Sequence, residues 1–345
     1  MILKKVLSQD HIINAFRNAV LKNHLSHAYI FTGQKGVGKS LFAREFSKYL
    51  FCKDKKTDSC GVCRNCGRID NNNHPDIHWT ALGEKDKFIK IEYIREIQHF
   101  VKLSPVESEN KLFIIKQADR MTEEASNCLL KTLEEPTPST IIILIADSMT
   151  PIKDTIRSRC QIVRFSSIPT HVIKEQLIEK FDADINEVEW ISRFCCGSLG
   201  TAIDLMKDNF YETNNHIVDR ISELKLKDNL NFTDEFIESY LSKDETLEEK
   251  RQTLKSIFNC ILQYYRDILI FKIKKSHAAY SKDLPLFNIG REDTLQTQSR
   301  RLTREQIINM IDEILLAIKY IDYNLNINML VENIMTKIAI LKSCK

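Results

Sequence analysis

Gly33-Gln34-Lys35-Gly36-Val37-Gly38-Lys39-Ser40 has the residue types and spacing of a phosphate cradle. Gly33, Gly36 and Gly38 let the backbone curl so that several N–H groups face an anion, and the helix that follows adds its positive N-terminus. Lys39 would pair with the β- and γ-phosphates, and Ser40 would ligate Mg²⁺. Phosphoryl transfer also needs a carboxylate for the metal and a group that orients the attacking water. The apolar run Leu112-Phe113-Ile114-Ile115, where those acids are expected, leads into Lys116-Gln117 instead. A lysine puts positive charge where the metal should sit, and a glutamine cannot act as a base. Asp119 lies two or three residues too far along; the competing reading has it reach back and rescue hydrolysis. The loop therefore predicts that ATP or ADP can be held, with Mg²⁺ binding compromised and the chain's own ATPase weak or absent. The bland alternative is a Gly-rich turn with no ligand.

Cys52, Cys60, Cys63 and Cys66 form C-x7-C-x2-C-x2-C. Four thiolates satisfy tetrahedral Zn²⁺, and the intervening Asp58, Ser59, Gly61 and Asn65 are turn formers suited to such a knuckle. With all four positions filled the metal would be structural. Three rivals stand beside this reading: an iron–sulfur cluster, although the x3-C-P continuation is missing; His74 in place of Cys52; and free surface thiols. Cys128, Cys195, Cys196 and Cys260 are expected to fill apolar helical faces.

Thr155-Ile156-Arg157-Ser158-Arg159-Cys160 follows the run Ile141–Ile145. An arginine on such a loop can project into a neighbouring subunit's γ-phosphate, whereas an isolated surface arginine is ordinarily solvated or structural. Between the runs Leu112–Ile115 and Ile141–Ile145, Thr122 can cap a helix carrying Glu123 and Glu124 in its first turn and an Ala125, Leu129, Leu133 stripe.

Elements that would position these groups are legible in the breakers and the apolar runs. Ala28–Phe31, Leu112–Ile115, Ile141–Ile145 and Gln161–Val163 read as buried parallel strands covered by helices on both faces. A break at Ser166-Ser167-Ile168-Pro169 ends this region. Beyond Gly200 the only glycine is Gly290 and the only proline Pro285. Helical spacing of Ile257, Ile261, Leu262 and Tyr265, and of Ile307, Ile311, Ile314, Leu315 and Ile318, predicts an all-helical C-terminal domain. Asn71-Asn72-Asn73 reads as a loop. A net charge of +3 over 345 residues excludes a polybasic nucleic-acid binder by bulk electrostatics. Arg300, Arg301 and Arg304 read as a solvated helix start. The opening residues carry no secretory pattern, no run reaches membrane-spanning length, and ten cysteines suit a reducing cytosol, so a soluble cytoplasmic protein is expected.

Together the residues resemble the delta prime subunits of the bacterial DNA polymerase III clamp loader, within the AAA+ family. The likeness is densest at Ser26-His27-Ala28-Tyr29, the four cysteines, Asn127 with Leu129-Leu130-Lys131-Thr132-Leu133-Glu134-Glu135-Pro136, and Ser158-Arg159-Cys160, with weaker support at Asn324-Leu325-Asn326. It implies an AAA+ P-loop domain over 1–166 with a zinc module at about 52–66, a helical lid over 167–210 and a helical collar over 211–345. It further implies a hetero-oligomeric ring with tau/gamma motor and delta subunits that loads the sliding clamp onto primed DNA in replication. In that ring Arg159 would complete a neighbour's ATP site, and this chain would be a stator. Motor subunits are the close rivals; Lys116-Gln117 in place of Asp-Glu, and glycine in Gly197-Ser198-Leu199-Gly200 where motors carry an arginine, favour delta prime. A stand-alone zinc-containing nucleotide switch is the alternative from another class.

Overall fold

A computed structural model describes residues 6–54, 58–83, 86–224, 229–241, 246–276, 286–288, 290–321, 323 and 326–343. The chain divides into two compact units, Met1–Lys180 with Cys195–Ile203, and Phe181–Phe194 with Asp204–Lys345.

The first unit runs α1 (Asp10–Leu21), β1 (Ala28–Thr32), α2 (Lys39–Phe51), α3 (Arg64–Asp70), β2 (Ile77–Thr80), α4 (Ile91–Lys102), β3 (Lys111–Ile115), α5 (Glu123–Glu134), β4 (Thr140–Ala146), α6 (Asp154–Arg157), β5 (Gln161–Arg164) and α7 (Thr170–Lys180). The five strands lie in the order β2-β3-β4-β1-β5, and every pairing is parallel. Successive side chains of a strand face opposite sides, so near-continuous apolar strands build two cores. Tyr29, Phe31, Leu112, Ile114, Ile141 and Ile143 pack with α1 and α2. Ala28, Ile30, Phe113, Ile115, Ile142 and Leu144 pack with α4, α5 and α6. The architecture is the AAA+ clamp-loader-like α/β fold. Four of the strands coincide with the runs read from the sequence, but only three are buried as expected: β5 lies at the sheet edge with Gln161 and Arg164 exposed, and β2 has no counterpart among those runs.

Two buried charged groups brace this unit. Lys111, 3% exposed, donates its ammonium to the carbonyls of Phe100, Val101 and Leu103, closing the C-terminus of α4. Asp76 accepts the N–H groups of Val106 and Glu107. Thr122 Oγ1 accepts the Ala125 N–H at 3.2 Å, the cap its sequence position predicts for α5.

In the remainder of the chain, α8 (Ile185–Phe194) precedes α9 (Leu199–Lys207), at which the division between the units falls. Then follow α10 (Phe210–Glu223), α11 (Asn229–Tyr240), α12 (Leu247–Ser276), α13 (Glu292–Arg301), α14 (Arg304–Ile321) and α15 (Ile327–Ser343). Thr246 with Glu249, and Thr303 with Gln306, form reciprocal caps that start α12 and α14. Ile257, Ile261, Tyr265, Ile307 and Ile314 are buried in one core as their spacing predicts. Leu315 departs from that expectation and is 48% exposed, because it falls on the outer flank of α14. Cys196 is a second departure: it is exposed, in a turn at φ 49°, and not on a helix. Arg300 and Arg301 close α13, where their charge complements the helix dipole, and only Arg304 opens a helix. Asn324 and Leu325 lie outside the described residues. Among the described residues no helix is long and apolar enough to cross a membrane.

Candidate functional site

The loop between β1 and α2 wraps one end of a crevice of about 610 Å³ that also receives the residues following β3 and β4. Parallel packing brings these strand ends to one edge, the usual ligand position of an open α/β sheet. Gly38 takes φ 101° as the N-cap of α2, a left-handed conformation that glycine adopts without Cβ strain. A Cβ on Gly36 would collide with Ser198 Oγ and lie 3.1 Å from Gly200 Cα. Gly200 in turn donates its N–H to Gly36 O at 3.0 Å. The 197–200 segment therefore seats directly on the phosphate loop, a contact that sequence spacing gives no sign of.

Lys39 is buried and donates to the carbonyls of Gly33 and Gln34, and to Asp147 Oδ1 at 2.7 Å. Asp147 is a site residue that sequence reasoning missed. It follows β4 on the face shared by Ile141, Ile143 and Ile145, and the β1–β4 register carries it to the loop. Lys116 follows β3 on that same face, continuing from Leu112 and Ile114, and lines the crevice with Gln117. Its ammonium lies 5.1 Å from the centre of the Trp79 ring. Burial first, and the nearby Arg44 charge second, press its pKa downward. Asp119 accepts the N–H groups of Asp147 and Ser148, each at 3.3 Å, and does not line the crevice. The rescue reading thus finds its carboxylate committed to the turn after β4. Among the described residues Asp147 is the only carboxylate of the crevice. The arrangement can hold phosphate through loop N–H groups and lysines, and the end of β3 offers no carboxylate to bind a metal or act as a base.

The four cysteines converge beside α2, their sulfurs all within 4.8 Å of one another. Cys52 Sγ lies 3.5 Å from Cys60 Sγ and 3.9 Å from Cys63 Sγ. Tetrahedral coordination at a Zn–S bond of about 2.3 Å implies S···S separations of about 3.8 Å, far longer than a disulfide. N–H groups of Cys60 and Cys63 point at Cys52 Sγ and Cys60 Sγ, at 3.3 and 3.2 Å, as thiolate ligands require. Burial opposes ionisation of Cys63, yet N–H donors and the neighbouring thiols outweigh it and bring its pKa to about 6. Burial is also the chief cause that raises Cys52. His74 is not part of the cluster; it is buried against Phe51, with its ring accepting the Asp76 N–H. The residues fit a four-sulfur metal site.

Arg157 and Arg159 part company. Arg157 turns back to Asp154 within α6 at 2.7 Å. Arg159 crosses to Glu134 at the end of α5 at 2.8 Å and donates to Thr155 O at 2.9 Å, leaving the side chain 36% exposed. Lys153 holds α5 and this loop together through Glu123 (2.8 Å) and Asn127 (3.0 Å).

Residues 8–169 match the family model described as DNA polymerase III, delta subunit. The chain is 31% identical over 331 residues to the DNA polymerase III subunit delta' of Bacillus subtilis, covering 94% of each chain. It is 28% identical to the subunit tau of the same organism, over 89% of this chain and 56% of tau. A solved DNA polymerase III gamma subunit-related protein of Thermotoga maritima superposes at a TM-score of 0.46 and 17% identity, over 96% of this chain and 99% of that one. With one relative matched along nearly the full length of both chains, this chain belongs to the delta' family of DNA polymerase III clamp-loader subunits.

Proposed function

We propose that this chain is the stator of a clamp-loader ring with motor (tau/gamma) and delta subunits, helping to load the sliding clamp onto primed DNA at the expense of ATP bound by its neighbours. The observation that carries the reading is Lys116-Gln117 at the mouth of β3, inside a crevice whose phosphate loop is intact. Gly33, Gly36, Gly38, Lys39 and Ser40 would hold a nucleotide's phosphates, which when bound supply negative charge to the loop N–H groups and Lys39. Hydrolysis at this chain's own site is weak or absent, because a cation stands where phosphoryl transfer needs a metal-binding acid.

Arg159 acts in trans on an adjacent ATP site; its exposure and its anchorage to Glu134 support that role. Cys52, Cys60, Cys63 and Cys66 hold a structural zinc, which contributes folding energy to its module and no chemistry. The organisation is three-part, with a P-loop domain over 1–166, a lid over 167–210 and a collar over 211–345. Exposed Ile308, Leu315, Leu316 and Tyr320 on α14 support a collar that meets other subunits. The tau likeness keeps a motor reading in view, and Lys116-Gln117 and the glycine in Gly197-Ser198-Leu199-Gly200 weigh against it.

The test is ring reconstitution with the wild-type and Arg159→Ala chains. Clamp- and DNA-stimulated ATP turnover should fall with the variant, while unstimulated hydrolysis by the lone chain stays near background in both. Motor-like turnover by the lone chain would replace the stator with the motor reading.

A further inference from the structure

The charge pattern of the crevice bears on which form of nucleotide it accepts. Among the described residues Lys35, Lys39, Lys116 and Lys180 line it, against the single carboxylate of Asp147, which is already paired with Lys39. Lys116 is held in place from two sides. Its own N–H donates to Thr80 O at 2.8 Å, fixing the backbone at the end of β3. Its ammonium sits over Trp79, whose ring also meets the Arg44 guanidinium at 5.8 Å. Among the described residues no carboxylate pairs with Lys116. A half-buried ammonium beside a second cation is poorly stabilised by the protein itself, and an anion is the partner that relieves it.

A divalent ion at the same strand end would meet that ammonium at close range and be repelled. A metal-free polyphosphate carries more negative charge and would be attracted to it. Resting on the reading of this loop as a nucleotide site, we propose that the crevice takes a nucleoside diphosphate or triphosphate as the metal-free anion. In that complex the Lys116 ammonium supplies the positive charge that magnesium supplies in a hydrolysing site. The substitution is then a working replacement: it keeps a nucleotide bound as a structural ligand while removing the ion that hydrolysis requires.

Calorimetric titration of the full chain with ADP, in excess EDTA and again in excess magnesium, tests this without relying on turnover. Binding should be as tight or tighter in EDTA. Lys116→Met should weaken binding in EDTA by about tenfold or more, the scale of one charge-assisted hydrogen bond. Lys116→Asp should reverse the ion dependence, binding ADP better with magnesium than without. Wild-type binding that requires magnesium would overturn the lysine's role and leave the nucleotide site standing, as would unchanged binding by Lys116→Met. No binding under either condition would overturn both. The wild-type comparison needs no variant, so the proposal stays open to refutation even where a variant folds poorly; melting curves identify such a case.

Discussion

Gly36 and Gly200 approach so closely that neither tolerates a side chain. A Cβ on Gly200 would fall 2.8 Å from Gly36 Cα, and the obstacle is backbone that cannot swing aside. Overpacking of this kind costs about 1–3 kcal/mol. Gly200→Ala is therefore expected to lower stability by that order and to weaken nucleotide binding, since relief requires the phosphate loop itself to move. Urea unfolding and ADP titration check the two parts; unchanged values in both would mean that the loop yields freely. The resemblance points only to glycine within Gly197-Ser198-Leu199-Gly200 where motor subunits carry an arginine, and gives no sign of the seat that Gly200 makes on Gly36. Asp147 was hidden for a related reason. Its partner Lys39 lies 108 positions away, and only the parallel register of β1 on β4 brings the two together. Lys39, Ser40 and Lys116 were legible because their roles follow from local pattern: a loop motif, and the end of an apolar strand.

At the scale of elements, β1, β3 and β4 announce themselves as continuous apolar runs because both faces of the sheet are covered there, while β5, at one sheet edge, shows only Ile162-Val163 between exposed Gln161 and Arg164. β2 does not, since Ile77-His78-Trp79-Thr80 is short, lies at the sheet edge and alternates in polarity. His78 nevertheless packs against the rings of Phe100 and Phe113, at 4.6 and 4.9 Å, and is half-buried, which its residue type conceals. The cysteine module is tied to its surroundings by more than sulfur. Buried Lys48 of α2 bridges Glu45 and Asp70 at the end of α3, at 3.1 and 2.5 Å. Asn65 donates to Phe51 O at 2.9 Å, and Arg17 of α1 reaches Asp58 at 3.3 Å. Removing the metal should consequently loosen the module while the sheet survives. The purified chain should contain about one zinc, and Cys63→Ser should lose it. Proteolysis should then concentrate within residues 52–66, with little change in overall helicity by circular dichroism. Iron in the purified chain would point to a cluster, and collapse of the whole fold on zinc loss would show that these polar ties do not suffice.

For the whole molecule, the proposed role in a neighbour's ATP site depends on how Arg159 is presented at the surface. Arg159 is held by Glu134, the penultimate residue of the Leu-Leu-Lys-Thr-Leu-Glu-Glu stretch, so α5 sets the direction of the guanidinium. An exposed ion pair contributes little stability, on the order of 0–1 kcal/mol, and its value here is orientation. If Glu134 acts through Arg159, the two substitutions must not add. In the reconstituted ring Glu134→Ala should lower stimulated ATP turnover by about two- to fivefold, the scale of one exposed pair. Arg159→Ala should lower turnover further if the guanidinium is, as proposed, the group that meets the neighbour's phosphate. The double variant should match Arg159→Ala alone, and the melting temperature of the free subunit should stay nearly constant throughout. Glu134→Asp, which keeps the carboxylate on a shorter stem, should restore part of the loss. Independent effects of the two changes, or a drop in subunit stability that tracks the loss of turnover, would show that Glu134 supports the fold of α5 and leaves Arg159 to find its partner unaided.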